Sequence, residues 1–297
     1  MVSLFIFAFV TRLASLFFAG GFDSVLGYDD GVYYSATTAF NHGLIPYRDF
    51  VLVHPPGILY LLTPFTWIGS LTTDAFGFYL ARVFFMVLGA ISVVLIYRIG
   101  SRWNRTTALV AALFYAVWMP VVRIERTPYL EEIGILATLI SIILILEGKY
   151  PRRALIISGM LLGLATSTKI WYAVSVVALT LWLAQEKRIK DALVLGATSV
   201  ATFFSLTAFF IWKAGSRFFD LVLYAQIVRR ATDITFASRI EQIFNLNSVN
   251  INKTKSISIA LLIIIALAIF RFMWINRKNR EGWLILLFFV LQLGVLL

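Results

Sequence analysis

Long apolar stretches follow one another along this chain almost without pause, and a helix needs about 20 such residues to cross the roughly 30 Å of hydrocarbon in a bilayer. They run Val2–Gly20, Phe78–Tyr97, Thr106–Val122, Leu130–Leu146, Ala154–Ser167, Ile170–Ala184, Ala192–Trp212 and Ile257–Ile275, with a last one opening at Trp283. Hydrophobic residues make up 60% of the chain, charged residues only 14%, and the mean hydropathy is +0.88. A soluble domain carries about 25% charge. The sequence therefore predicts an all-α, polytopic transmembrane helical bundle of about nine helices. It reads as a single module over 1–297, with outer loops at 21–77 and 214–256 that carry amphipathic helices. The first stretch lacks a basic leader and is kept as a helix, not a signal peptide.

Short cytoplasmic loops collect Lys and Arg, which orients the chain. Arg98, Arg102 and Arg105 follow the second span, Lys149, Arg152 and Arg153 the fourth, Lys187, Arg188 and Lys190 the sixth, and Arg277, Lys278 and Arg280 the eighth. The parity puts the N-terminus in the cytoplasm. It also decides between one long helix and two short ones over Ala154–Ala184: a single helix would reverse the charge rule and strand Lys169 at depth. Thr166–Lys169 is then a tight outer turn.

The formal net charge of +11 raises nucleic acid as a partner, but about half of the cations lie in loops that face anionic lipid instead. Arg217, Arg229, Arg230, Arg239, Lys253 and Lys255 are different, because they fall on the side that should be poor in cations. They suggest an anionic ligand there, a phosphate or a lipid headgroup. Around them, Phe218–Arg230 alternates apolar and polar residues in a helical rhythm, the pattern of an interfacial helix with its aromatic side on acyl chains. With no cysteine and two histidines, His42 and His54, thiolate chemistry is excluded and a histidine metal site has little to draw on. The triplet Asn252-Lys253-Thr254 matches a glycosylation sequon.

The most unusual polar residues lie between the first two spans. An adjacent acidic pair beside a membrane has to face water or hold a partner, and Asp29 and Asp30 form such a pair. The loop reads Tyr28-Asp29-Asp30-Gly31-Val32-Tyr33, then Gly43-x-x-Pro46-Tyr47-Arg48-Asp49, then His54-Pro55-Pro56-Gly57. A second element is Gly163-Leu164-Ala165 with Thr168-Lys169 before an aromatic-rich helix. This order of elements resembles the C-type glycosyltransferase superfamily. Within it, the chain is most similar to enzymes that use lipid-linked sugars: the dolichyl-phosphate-mannose protein mannosyltransferases, the lipid A aminoarabinose transferase, and actinobacterial mannosyl- and arabinosyltransferases.

The resemblance implies transfer of a sugar from a polyprenyl-phosphate donor to an acceptor hydroxyl on a glycan, lipid or protein, at the outer face and with inversion. It makes Asp29 the base and places Asp30 at the second acidic position. His54 falls where relatives carry a basic or polar residue before a proline pair. Glu131 and Glu132 fall near an acidic position of the second outer loop, for which Arg123-x-Glu125-Arg126 is an equal match. Such chemistry needs a carboxylate for the acceptor proton and cations for the departing phosphate. Lys169, Arg229 and Arg230 are the candidates for the phosphate, arginine being the better bidentate partner.

Plainer roles stand beside these. Asp29 and Asp30 are suited to capping a helix over Val32–Phe40, and His54-Pro55-Pro56 to a rigid turn. Arg48 can pair with Asp49 or with an aspartate of the pair, Lys169 can reach headgroups, and Glu131 or Glu132 can pair with Arg126 or Arg123. A divalent metal on Asp29 and Asp30 is conceivable, but such ions want six or more oxygens, or waters and a substrate phosphate, so no cofactor is expected. The competing classes are a transporter, whose site would lie at broken helices in mid-membrane, and a non-catalytic lipid-binding protein. Relatives continue with more helices and an outer domain beyond the point where this sequence stops, so it also reads as a C-terminally truncated chain.

Overall fold

A computed structural model describes residues 1–27, 29, 31–147, 151–230, 263–264, 267–268, 270–271, 274–275 and 279–296, with the backbone alone for 229, 230, 289 and 292–296. The described residues are helical apart from loops and one isolated bridge between Pro46 and Phe50. The helices are α1 (Val2–Phe18), α2 (Val32–Asn41), α3 (Gly57–Leu71), α4 (Asp74–Gly100), α5 (Arg105–Val117), α6 (Met119–Glu125), α7 (Glu131–Glu147) and α8 (Arg152–Thr168). A 3-10 turn over Ile170–Tyr172 leads into α9 (Ala173–Gln185) and α10 (Ile189–Ala214). Then come α11 (Ser216–Phe219), a π-turn over Asp220–Tyr224, α12 (Ala225–Arg230) and α13 (Arg280–Leu296).

Helix α4 is the hub, packed against α1, α3, α5 and α7. Alanines line its contact with α1 and α5, where Ala8, Ala90, Ala112 and Ala116 are fully buried. Small side chains let helices approach where lipid supplies no hydrophobic drive. The same device joins α8 to α10: a Cβ on Gly159 would stand 2.8 Å from the Leu195 carbonyl, and one on Gly163 2.5 Å from that of Ser199. These contacts rise together along both helices, so α8 and α10 run parallel and α9 must return between them. Two short helices thus replace one long one, and Lys169 sits at their turn in an extended conformation (φ −145°, ψ 118°).

By length and hydropathy, α4 and α10 cross a bilayer unaided, and the bent pair α5–α6 would make a third span. Helix α1, at 17 residues, reaches about 25 Å. The apolar run Thr106–Val122, expected as one helix, is broken by 62° between α5 and α6. The cause is Pro120, which has no N–H to give the Ala116 carbonyl four residues back. That carbonyl instead accepts from Thr11 Oγ1 at 3.0 Å and Arg12 Nη1 at 3.2 Å, both on α1. The segment read from the sequence as a first outer loop also departs from its expected form, since Gly57–Leu71 within it is a 15-residue apolar helix that tolerates Pro64 in its interior.

Charged side chains gather at the two ends of the bundle. One end gathers Arg98, bonded to Glu147 at 2.6 Å, Arg102, bonded to Glu281 at 3.2 Å, and the pairs Arg280–Glu186 and Arg188–Asp191. The opposite end holds the loop after α1, the N-terminal turns of α3 and α7, the turn at Lys169 and the segment after α10.

Candidate active site

The loop ahead of α3 is built around Tyr47. Its backbone is left-handed (φ 68°), its side chain is fully buried, and its ring meets Phe218 and Phe210 with centroids 4.9 and 6.1 Å away. Its hydroxyl donates to the His54 carbonyl at 2.7 Å. Two further bonds clamp the loop from α11 and α12: Arg217 donates to the Arg48 carbonyl at 3.2 Å and Gln226 to that of Val53 at 2.6 Å. The His54 ring is buried, 6.1 Å from that of Tyr33.

Arg48 pairs with Asp49, which also accepts the Ile45 amide at 2.7 Å. The Arg48 guanidinium first, and the Ile45 amide second, hold the Asp49 carboxyl down at about 2. A depressed carboxylate contributes stability above its ordinary value of 3.8 and loses it as pH falls through about 2. Because Asp49 stays charged wherever the enzyme can work, Asp49→Asn is expected to leave the acid limb of the pH–rate profile in place.

His54-Pro55-Pro56 delivers α3 onto the end of α8. There a Cβ on Gly57 would collide with Ser167 Oγ and lie 2.6 Å from the Ser167 carbonyl. Gly57→Ala should cost about 1–3 kcal/mol through overpacking, read as a lowered thermal midpoint in detergent. The contact couples the loop ahead of α3 to the turn that carries Lys169. Lys169 is ion-paired with Glu131, and Tyr172 donates to the Glu131 carbonyl at 2.7 Å. Glu131 and Glu132 are therefore held otherwise than by the arginines the sequence offered, for the fully buried Glu132 accepts from Ser92 of α4 at 2.8 Å.

Asp29 is exposed in the turn before α2, where its carbonyl accepts the Val32 amide at 3.2 Å. It does not cap that helix, because the cap position belongs to Gly31 in the left-handed region (φ 82°), with no side-chain bond. Two residues earlier, a Cβ on Gly27 would stand 3.2 Å from the Tyr129 hydroxyl, so this turn lies against the α6–α7 turn that leads to Glu131. Tyr28, Asp30, Lys149, Arg239 and Asn252-Lys253-Thr254 lie outside the described residues, as do the side chains of Arg229 and Arg230. Among the described residues no three His, Asp or Glu side chains come together as a metal cluster.

Two arginines support this rim: Arg126, already a candidate from the sequence, and Arg82, which was passed over there. Arg82 of α4, fully buried, donates to the carbonyls of Phe22 at 2.5 Å and Ser24 at 2.8 Å and lies over the Phe78 ring. Arg126 donates to the Ser15 carbonyl at 2.5 Å and its hydroxyl at 2.8 Å. A cation inside an apolar run is itself a signal of function, and it was available for Arg82 and for Arg12.

A bundle of apolar helices with polar side chains gathered at its ends defines an integral membrane protein. Residues 53–212, more than half of the 297, match the family described as dolichyl-phosphate-mannose-protein mannosyltransferase. The chain belongs to that family of membrane glycosyltransferases, which draw their sugar from a polyprenyl phosphate. The matched stretch contains His54, Arg126, Glu131 and Lys169 and begins after Asp29, Asp30 and Arg48. No curated protein and no solved structure matches the chain.

Proposed function

We propose that the chain transfers a sugar from a polyprenyl-phosphate donor to an acceptor hydroxyl on a glycan, lipid or protein, by a single inverting displacement at the rim that carries Asp29, Glu131 and Lys169. The acceptor oxygen attacks the anomeric carbon, and Asp29 takes its proton. The bond from that carbon to the phosphate oxygen breaks, and polyprenyl phosphate leaves with the electron pair. Lys169, with Arg229 and Arg230, meets the charge that grows on the phosphate. The Glu131 carboxylate orients the Lys169 ammonium and leaves it further N–H donors.

The supporting observation is that the basic loops at Arg98, Arg152 and Lys187 share one end of the bundle. The end with Arg98, Arg102, Arg188 and Arg280 is the one that the positive-inside rule assigns to the cytoplasm. On this reading the N-terminus is cytoplasmic and the Asp29 rim faces the outer compartment. The test supplies a radiolabelled polyprenyl-phosphate sugar and a hydroxyl acceptor to membranes holding the protein. Label should pass to the acceptor with the anomeric configuration reversed. Retention would refute single displacement, and release of free sugar alone would refute transfer to the acceptor.

A further inference from the structure

We infer that the buried pair Arg12–Glu125 is a positioning device for sugar transfer, setting the α6–α7 turn, and with it Glu131 and Lys169, relative to the loop that bears Asp29. This rests on the site proposed above. Both side chains have no exposure at all. Arg12 Nε donates to Glu125 Oε2 at 2.8 Å and a second bond comes from Nη2, while Tyr115 donates to Glu125 Oε1 at 2.6 Å. One turn further along α1, the Ser15 carbonyl takes the bond from Arg126.

Consecutive residues at the end of α6 are thus tied to consecutive turns of α1. Two attachment points fix orientation as well as separation. Just beyond them, within one short stretch, Tyr129 meets the Gly27 turn, Glu131 pairs with Lys169, and Glu132 takes Ser92 of α4. Helix α1 continues directly into the loop that carries Asp29, so it is common to both halves of the rim.

Stability alone does not call for these charges. A buried ion pair must offset the loss of its hydration, and well-packed apolar residues of similar volume commonly hold a fold as well or better. What an apolar pair lacks is a directional lock, and misplacement by an ångström costs rate far more than it costs binding. Replacing the pair by Arg12→Met with Glu125→Leu therefore separates the two roles. Gly89→Ala gives an independent test that keeps both charges, since a Cβ at Gly89 would collide with the Glu125 carboxylate and stand 2.8 Å from Arg12 Nε.

The experiment measures kcat and donor KM for both variants in proteoliposomes, with protein amount and thermal midpoint alongside and Asp29→Asn as a separate arm. The double variant is expected to accumulate with a near-normal midpoint and donor KM while kcat falls by about tenfold or more. Gly89→Ala should lower kcat in the same way. Wild-type kcat in the double variant overturns the inference. Should the double variant fail to accumulate, Gly89→Ala decides, a lowered kcat supporting positioning and a wild-type kcat overturning it. Wild-type activity in Asp29→Asn would instead overturn the site assignment, whatever the pair does.

Discussion

Asp29→Asn should insert and fold normally yet transfer sugar at least about 100-fold more slowly, the usual minimum for losing a positioned general base. Normal folding follows from location. Asp29 is exposed, in a turn whose cap position belongs to Gly31, and exposed substitutions away from special features stay within about 0.5 kcal/mol. A fall in rate would then report chemistry, not lost structure. The check is kcat at saturating donor in membranes with matched protein amounts. Donor KM should change little, because the amide fills the same volume and the base acts on the acceptor. A wild-type rate would remove Asp29 from the role and make its neighbour Asp30 the next residue to replace.

Lys169→Ala is the second large effect, with kcat/KM for the donor falling about 100-fold, comparable to removing one donor of transition-state charge stabilisation. Its ion pair with Glu131 offers a comparison that separates phosphate contact from mere support. If Lys169 only braces Glu131, then Glu131→Gln should be as harmful as Lys169→Ala. If it meets the phosphate, Glu131→Gln frees the ammonium and the lysine variant is much the worse, with a higher donor KM. Lys169→Arg should recover part of the loss, since charge survives but not the point geometry of the ammonium.

The bundle was legible because apolar length is a property of single segments. The break at Lys169 was legible for the same reason: an ammonium inside a greasy run demands a surface. What stayed hidden are pairings across the sequence. Glu125 could be seen, but not that its partner is Arg12, 113 residues away, and a loose motif match left it as one alternative to Glu131. Pro120 was equally visible, yet a bend needs another helix to satisfy the freed carbonyl, and only the fold supplies Thr11 and Arg12. The segment after α10 was read as helical with its aromatic side in lipid. Instead Phe218 and Val222 are buried with Tyr47, while Phe219, Tyr224 and Ile227 remain exposed.

That divided segment has a consequence for handling the enzyme. Its outward side chains are suited to resting among acyl chains, while Arg217 and Gln226 on the same short stretch grip the main chain of the loop at Arg48 and Val53. Whatever the stretch floats on is therefore mechanically continuous with the approach to His54. Detergent extraction exchanges that cushion for a micelle, so turnover should track bilayer thickness and headgroup type even though none of those lipids is consumed.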